Sequence, residues 1–227
     1  MIDIVIPTLM QYDEEIFEYS LREANESPIV NQIIIIDNSG TKHFKSNLNK
    51  VKSFGMRQNI FVNAAWNIGV DLSQSEHVVI MNDDIACRRE NYDFINEVLS
   101  ASDCGLCSIK THNINNLNEY LNDNNLNDTI STDENFGNPD NNKTGWFFGV
   151  KKSLWKNIPD SIKIIYGDDL IYLRTRKLGY KTKNITNTTI GHLGSKTINK
   201  IMDNIINQVN KDIVEFRNLK DYYLESN

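Results

Sequence analysis

The feature that most constrains the fold of this sequence is a series of short, β-branched apolar runs in residues 1–110, separated by longer amphipathic stretches. Such runs favour buried parallel strands, and the stretches between them favour helices that cover the sheet. The predicted strands are Asp3–Ile6, Gln32–Ile36, Ile60 with its neighbours, His77–Met81 and Gly105–Ile109. The predicted helices are Glu14–Ala24, Ala64–Leu72 and Tyr92–Ser100. The sequence therefore predicts an α/β fold with a mostly parallel, Rossmann-like central sheet flanked by helices.

The second half of the chain is less regular. Residues 111–143 are rich in Asn and Asp, which predicts an irregular excursion, either a substrate-covering loop or a tolerated insertion. Order resumes at Gly145, and residues 145–190 should add a few strands and a helix. From Ile198 onward apolar residues recur at steps of three to four, which predicts an amphipathic C-terminal helix. We expect this helix to pack on the parent domain, with a homodimer or membrane-edge contact as the alternative.

Composition and charge narrow the class of protein. The chain has 227 residues, and 24 Lys and Arg against 30 Asp and Glu give a net charge of −6. This balance argues against general attraction to nucleic acid or anionic lipid. No stretch approaches the roughly 20 apolar residues that span a bilayer, and the N-terminus has the pattern of a core strand without a basic leader, so we expect a cytoplasmic protein. Cys104 and Cys107 lie in an apolar run and are predicted to be core residues, not a zinc or redox pair.

Polar residues follow three of the predicted strands where each strand ends. Thr8 follows the first, Asp37 the second, and Asn82, Asp83 and Asp84 the fourth. Ligands of open parallel sheets bind at this edge, and carboxylates gathered there repel one another unless a cation or a hydrogen-bonding ligand lies between them. Oxygen ligands favour Mg²⁺ or Mn²⁺ shared with phosphates. The pattern predicts a metal and nucleoside-diphosphate site, the alternative being that each Asp only caps the next helix.

The residues after the first strand exclude two nucleotide-binding motifs. Pro7-Thr8-Leu9-Met10 contains neither a GxGxxG dinucleotide turn nor a P-loop. The phosphates of any nucleotide are therefore expected to be held by a metal ion and side chains, with Asp37 and Asp83 available to accept hydrogen bonds from the base and ribose.

A collinear set of short strings covers residues 1–197. The strings are Ile4-Val5-Ile6-Pro7-Thr8, Ile35-Ile36-Asp37-Asn38-Ser39, Asn59-Ile60-Phe61-Val62-Asn63-Ala64-Ala65-Trp66-Asn67-Ile68-Gly69, Val79-Ile80-Met81-Asn82-Asp83-Asp84, Gly167-Asp168-Asp169-Leu170, Arg174-Thr175-Arg176-Lys177-Leu178-Gly179-Tyr180-Lys181 and His192-Leu193-Gly194-Ser195. In order and spacing this set resembles the family-two glycosyltransferases with the GT-A fold. The expected organisation is a glycosyltransferase domain over residues 1–197, with a nucleotide-binding half (1–110) and an acceptor half (111–197), followed by a helix over 198–227.

The resemblance implies transfer of a sugar from a nucleoside-diphosphate sugar, with a UDP-sugar as first candidate, to an acceptor hydroxyl. On the donor side it implies that Asp37 contacts the base or ribose and Asp83 the ribose or donor sugar. Asp84 would bind the Mn²⁺ or Mg²⁺ that bridges the two phosphates, and His192 would be a second metal ligand or a phosphate contact. The further donor-side residues it implies are Pro7, Thr8, Asn67, Asn82 and Lys196, the last opposite the leaving diphosphate.

On the acceptor side the resemblance implies that Asp168 is the general base, with Asp169 as the alternative. One base and a single displacement would invert the anomeric centre. Trp146 is predicted to stack on an acceptor sugar, or else to belong to the core. The sequence departs from the family where Gly167 replaces the usual Glu, where Phe61 replaces a common Gly, and at Asn82.

Several identities stay open at this point. The acceptor is a polysaccharide, a glycoprotein glycan or, with less support, a hydroxylated DNA base. The heavy use of Asn, Ile and Lys is compatible with an AT-rich genome such as that of a low-GC bacterium, a phage or a large virus. The competing functions are a catalytically inactive nucleotide-sugar-binding protein and a sugar nucleotidyltransferase, although the latter would want a glycine-rich loop after the first strand.

Overall fold

The computed structural model describes residues 1–41, 43–123, 129–133, 145–194 and 196–225, and within the last helix it describes the side chains of residues 205–220. The strands are β1 (Ile2–Thr8), β2 (Val30–Asp37), β3 (Val51–Gly55), β4 (His77–Met81), β5 (Ile85–Ala86), β6 (Cys104–Asn113), β7 (Thr132–Asp133), β8 (Phe147–Lys151) and β9 (Lys181–His192). The helices are α1 (Glu14–Glu26), α2 (Val62–Leu72), α3 (Arg89–Ser100), α4 (Leu117–Leu121), α5 (Gly167–Lys177) and α6 (Lys196–Glu225).

All of these strands join one mixed sheet in the order β3-β2-β1-β4-β8-β6-β9-β5, with β7 paired to β9. Strands β1 to β4 form a parallel group around β1. Strand β8 runs antiparallel to both β4 and β6, so β6 and its parallel neighbour β9 point the same way as β1 and β4. The carboxyl ends of β1, β4 and β9 therefore meet at one edge of the sheet.

Helices cover both faces of the sheet, which explains why β1 and β4 are buried along their whole length. Because successive side chains of a strand point to opposite faces, Ile4 and Ile6 belong to one core layer and Val5 to the other. The first layer packs against α1 and α3, and the second packs against α2, α5 and α6. The α/β fold with a central sheet, flanking helices and a C-terminal helix is thus confirmed.

The predicted strand at Ile60 is wrong. The third strand is β3, an edge strand whose residues are mostly half-buried or exposed, so it lacks the uninterrupted apolar run that marks a central strand. Ile60 lies in the connection to α2, where its N–H donates to the Asn38 side-chain oxygen at 3.3 Å. The other predicted strands and helices of the first half are present: the strand His77–Met81 has the predicted bounds, and the others are longer by a few residues.

The irregular excursion expected over residues 111–143 is ordered in part. Strand β6 continues to Asn113, and the short helix α4 follows, capped by the Asn116 side chain. Leu117 and Tyr120 of α4 are buried, which gives this polar stretch an apolar anchor. Within the same stretch, residues 124–128 and 134–143 lie outside the described part of the chain.

Cys104 and Cys107 are fully buried in the core layer beneath α3, as expected for core residues. In α6, Phe216 is buried in the opposite layer and Leu219 packs against it, so this helix does pack on its own chain. Among the residues that the structure describes, no helix combines the length and the hydrophobicity that crossing a membrane requires.

Candidate active site

A cavity of about 530 Å³ opens at the edge of the sheet where β1, β4 and β9 end. This volume is within the range of small-molecule sites. Of the residues predicted to form the site, the cavity brings together Pro7, Thr8, Asn82, Asp83, Asp84, Trp146, Asp168, Asp169 and His192. These side chains come from both halves of the sequence. The parallel direction of β1, β4 and β9 gathers those at the strand ends, whereas Trp146 precedes the antiparallel strand β8 and the two carboxylates Asp168 and Asp169 begin α5.

The donor-side corner of the cavity is built on Thr8 and Asp83. The Thr8 hydroxyl donates to Asp83 Oδ2 at 2.6 Å and accepts from the N–H of Met10 at 2.9 Å. Burial raises the pKa of Asp83 to about 7, helped by the charge of Asp84 and opposed by the hydrogen bond from Thr8. The carboxylates of Asp83 and Asp84 thus form a mutually repulsive acidic pair that a cation or a polar ligand would stabilise.

Asp84 and His192 face each other at the end of β9, with His192 Nε2 and Asp84 Oδ2 3.3 Å apart. The pairing of β5 with β9 and the bond from the N–H of Leu193 to the Asp84 carbonyl, at 3.1 Å, hold the two residues together. The second carboxylate oxygen of Asp84 is buried without a partner among the described residues.

This donor set fits a hard divalent ion. The carboxylate of Asp84, with its orphaned oxygen, is the type of ligand that Mn²⁺ and Mg²⁺ prefer, and the neighbouring imidazole nitrogen is a ligand better suited to a transition-metal ion such as Mn²⁺ than to Mg²⁺. The part of the chain that the structure describes contains no group of three or more His, Cys, Asp or Glu side chains arranged to hold a metal. An ion at Asp84 and His192 would therefore need oxygens from a ligand, as expected where a metal is shared with phosphates.

The opposite wall of the cavity is the start of α5. Asp168 and Asp169 occupy its first turn, where the partial positive charge of the helix N-terminus favours ionised carboxylates. Asp168 lies close to the backbone of Gly145, since a Cβ added there would be 2.6 Å from Asp168 Oδ2. Tyr166 precedes the helix with φ at 65°, a left-handed conformation that is uncommon for a non-glycine residue.

Of the other residues predicted for the donor side, Asp37 and Asn67 are not among the described residues that line the cavity. The Asp37 carboxylate accepts from the N–H groups of Ser39 and Phe44, both at 2.9 Å, and so fixes the loop after β2. The Asn67 amide is bonded through both ends to the backbone of Ile158, at 2.9 Å each. Lys196 is the first residue of α6, and its side chain lies outside the described part of the structure.

The cavity also has lining residues to which the sequence assigned no binding role, among them Asn38, Asn59 and Tyr166. Phe61, which stands where the family that the sequence resembles commonly has Gly, lines the cavity too, with φ 67° and ψ 167°. Only glycine adopts this backbone region without strain, which explains why a Gly is common at the position. The sequence feature that could have pointed to these lining residues is the run of polar and turn-forming residues around Asn59. The Asn59 side chain accepts from the N–H of Phe61 at 2.8 Å.

The fold and the edge-of-sheet cavity are those of α/β proteins that bind ligands where parallel strands end. Comparison with solved structures places this fold beside that of S. aureus TarS, a glycosyltransferase of teichoic acid synthesis. No protein-family model matches the sequence, and no curated protein matches it. The likeness to TarS is therefore one of fold.

Three crystal structures of TarS match this chain with similar TM-scores and similarly low sequence identities. The structure of TarS 1–349 matches with a TM-score of 0.62 and 11% identity over 92% of this chain and 65% of TarS 1–349. A second TarS structure matches with a TM-score of 0.61 and 13% identity over 86% of this chain and 37% of that TarS chain. The structure of TarS 1–349 in complex with UDP matches with a TM-score of 0.58 and 13% identity over 84% of this chain and 59% of that TarS chain. The chain thus spans less than two thirds of each TarS chain.

Proposed function

We propose that this chain is a metal-dependent glycosyltransferase that moves a sugar from a nucleoside-diphosphate sugar, first of all a UDP-sugar, to an acceptor hydroxyl. The observation that carries the proposal is the meeting, in one cavity, of a half-buried acidic pair at the end of β4 with two carboxylates at the start of α5. A donor with a diphosphate at the first pair would present its anomeric carbon to the second. The UDP complex of TarS, which shares the fold, supports a uridine nucleotide as the donor's carrier.

On the donor side, Asp84 and His192 would hold Mn²⁺ or Mg²⁺, and Thr8, Asn82 and Asp83 would contact the ribose or the sugar. A bound divalent ion would supply stabilisation of the negative charge that develops on the leaving diphosphate. The chain's own part is to fix the Asp84 carboxylate by the β5–β9 pairing and to shield it from water, since one of its oxygens is already buried.

On the acceptor side, Asp168 would take the proton from the attacking hydroxyl, with Asp169 as the alternative base. Gly167 supports assigning this role to the following two carboxylates, because a Cβ at position 167 would lie 2.2 Å from the Asn63 side-chain oxygen. The Glu usual in the family therefore has no space there. A single base and a direct displacement would give inversion at the anomeric carbon.

Calorimetry with UDP, with and without Mn²⁺, tests the donor half of the proposal. We expect UDP to bind, and to bind more tightly with Mn²⁺. Release of UDP from a panel of UDP-sugars tests turnover, and NMR of the product anomer tests inversion. Absence of UDP binding in the presence of Mn²⁺ would overturn the proposal, whereas binding without turnover would favour an inactive nucleotide-sugar-binding protein.

A further inference from the structure

The segment between Ile162 and Tyr166 forms the cavity wall that leads into α5, and it is held by a single buried carboxylate from the last helix. Asp212 of α6 is fully buried. Its Oδ1 accepts from the N–H of Lys163 at 3.2 Å, and its Oδ2 accepts from the N–H groups of Ile164 at 2.7 Å and Ile165 at 3.1 Å. Three successive backbone donors therefore share one side chain.

Asp212 is itself fixed in place. The side-chain amide of Gln208, one turn earlier in α6, donates to Asp212 Oδ1 at 2.8 Å. A buried carboxylate that accepts four hydrogen bonds is restricted to one rotamer, and charge-assisted bonds of this type are stronger than those between neutral groups. The geometry of α6 is thus transmitted directly to the backbone of residues 163–165.

The other side of the same segment is bonded to α2. The Asn63 side-chain amide donates to the Ile162 carbonyl at 3.1 Å, and the N–H of Asn63 donates to the Lys163 carbonyl at 3.2 Å. The segment is therefore clamped between α2 and α6. Without Asp212 the backbone of residues 163–165 would lose its hydrogen bonds to α6, and the bonds from Asn63 of α2 would remain.

The clamp continues into Tyr166, the residue that precedes α5. The Tyr166 ring stacks on the Phe216 ring, with centroids 4.3 Å apart and planes 3° apart. Phe216 lies one turn after Asp212 on the same face of α6, at the i, i+4 spacing. Tyr166 adopts φ 65°, and such a conformation persists only when its surroundings impose it. One face of α6 thus sets both the loop and the left-handed turn before Asp168.

We propose that Asp212 is a positioning residue: through the N–H groups of residues 163–165 it places the carboxylates of Asp168 and Asp169 for the acceptor. This inference rests on the proposed glycosyltransferase function. Asp212 takes no part in the bonds that hold the donor corner, since Thr8, Asp83, Asp84 and His192 are fixed by other elements. Its loss should consequently affect turnover and leave nucleotide binding intact.

The test uses the full chain with Asp212→Asn, which keeps one accepting oxygen and the side-chain volume, and Asp212→Leu, which keeps none. Glu215→Gln is the matched control, because it removes the same charge from α6 but leaves the hydrogen bonds between Asp212 and residues 163–165 in place. Phe216→Leu tests the same wall through Tyr166 should the Leu variant fail to fold. The readouts are amide hydrogen exchange of residues 163–165, UDP affinity with Mn²⁺, and UDP release from the UDP-sugar that the wild type uses fastest.

We expect exchange protection at residues 163–165 and kcat to fall together in the order Asp, Asn, Leu, with kcat of the Leu variant lower by at least about tenfold and KM for the UDP-sugar within about twofold. Phe216→Leu should lower kcat in the same direction, and Glu215→Gln should match the wild type. A variant that loses thermal stability but keeps wild-type kcat at a temperature where it is folded would overturn the inference, because that result is what a merely structural role predicts.

The two proposals fail in different ways. If the wild type neither binds UDP nor releases it from UDP-sugars, the glycosyltransferase assignment fails and the positioning role falls with it. If the wild type turns over and Asp212→Leu does so equally well, only the positioning role fails. Reduced UDP affinity in Asp212→Asn comparable to its reduction in kcat would also overturn the positioning role, since it would place Asp212 on the donor side.

Discussion

The indole of Trp146 stacks on the imidazole of His192, with ring centroids 4.7 Å apart and planes 7° apart. The indole N–H donates to the Thr111 hydroxyl at 3.1 Å, which fixes the ring in its plane. The backbone carbonyl of Trp146 also accepts from the N–H of Asn82 at 2.9 Å. Trp146 therefore links the end of β4 to the end of β9, and it orients His192 towards Asp84.

Replacement of Trp146 should weaken metal-dependent nucleotide binding. A group that orients a metal ligand contributes about 10- to 100-fold to metal affinity, so we expect Trp146→Ala to lower the Mn²⁺-dependent gain in UDP affinity by about that factor. Trp146→Phe keeps a stacking ring and should lose less. Calorimetry with and without Mn²⁺ measures both. Unchanged Mn²⁺ dependence in Trp146→Ala, combined with a raised acceptor KM, would instead support the predicted stacking of Trp146 on an acceptor sugar.

Replacement of Asp84 should abolish the effect of the metal. Asp84→Asn removes the charge and presents an NH₂ donor where an accepting oxygen is needed, so Mn²⁺ should no longer increase UDP affinity. The expected loss exceeds the roughly 10- to 100-fold effect of an outer residue. Asp71→Asn, at an exposed position of α2, is the charge-matched control and should behave as the wild type. Asp84 would cease to be the proposed metal ligand if its variant retained the full Mn²⁺ effect.

Asp168 and Asp169 can be separated by turnover at constant donor affinity. A general base contributes about 10²- to 10⁴-fold to the rate, so Asp168→Asn should lower UDP release by a factor in about that range while UDP affinity stays close to wild type. Asp169→Asn should have the smaller effect. Steady-state kinetics with the best UDP-sugar measures both. A larger loss in Asp169→Asn would transfer the role of base to Asp169.

The sequence predicted the central elements because of how they are buried. Strands β1, β2 and β4 are covered on both faces, so each contains an apolar run, Ile4–Ile6, Ile33–Ile36 and Val78–Met81 respectively, that soon gives way to polar residues. Strand β3 lies at the edge and carries no such run. Strands β5 and β7 have two residues each and are defined only by the partner strand they pair with.

The site was predictable where its residues follow strand ends directly, as Thr8, Asp83 and Asp84 do. It was not predictable where tertiary contacts decide the outcome. Whether a carboxylate that follows a strand faces a ligand or the backbone depends on its neighbours. The Asp37 carboxylate accepts hydrogen bonds from the backbone N–H groups of Ser39 and Phe44. Tyr166 lines the cavity in a left-handed conformation with its ring stacked on Phe216 of α6, and no local sequence pattern indicates that contact.

The buried carboxylate of Asp3 gives a pH-dependent contribution to stability. Burial would raise the pKa of Asp3, but hydrogen bonds from Gln32, Asn31, the N–H of Gln74 and Ser75 lower it to about 2 from an ordinary value of 3.8. A lowered pKa in the folded state means that the contribution is complete above the unfolded value and is lost as the pH falls from about 4 to about 2. The size of the effect is on the order of 2 kcal/mol.

Urea unfolding of Asp3→Asn tests this network. We expect the free energy of unfolding at neutral pH to fall by on the order of 2 kcal/mol, and the difference from wild type to shrink as the pH approaches about 2. Asp160→Asn, an exposed replacement, should leave stability within about 0.5 kcal/mol of wild type. A difference between Asp3→Asn and wild type that stays constant over this pH range would show that the ionisation of Asp3 is not the source of the stability.

Gly167 is required by packing, and its replacement should destabilise the start of α5. A Cβ at this position would lie 2.2 Å from Asn63 Oδ1 and 2.9 Å from Ile158 Cδ1. The Asn63 amide cannot swing aside without breaking its bond to the Ile162 carbonyl. Overpacking of this kind costs about 1 to 3 kcal/mol, and the first helical position offers little of the roughly 1 kcal/mol that Ala gains over Gly in a helix interior.

Urea unfolding of Gly167→Ala should therefore give a loss of about 1 to 3 kcal/mol. Shortening the opposing side chain removes the clash, so Asn63→Ala combined with Gly167→Ala should cost less than the sum of the two single variants, as expected for residues in contact. Strict additivity of the two changes would contradict the packing explanation. Because the clash begins at the Cβ, Gly167→Glu should be at least as destabilised as Gly167→Ala, and it should lose turnover instead of gaining the acceptor contact that a Glu makes elsewhere in the family it resembles.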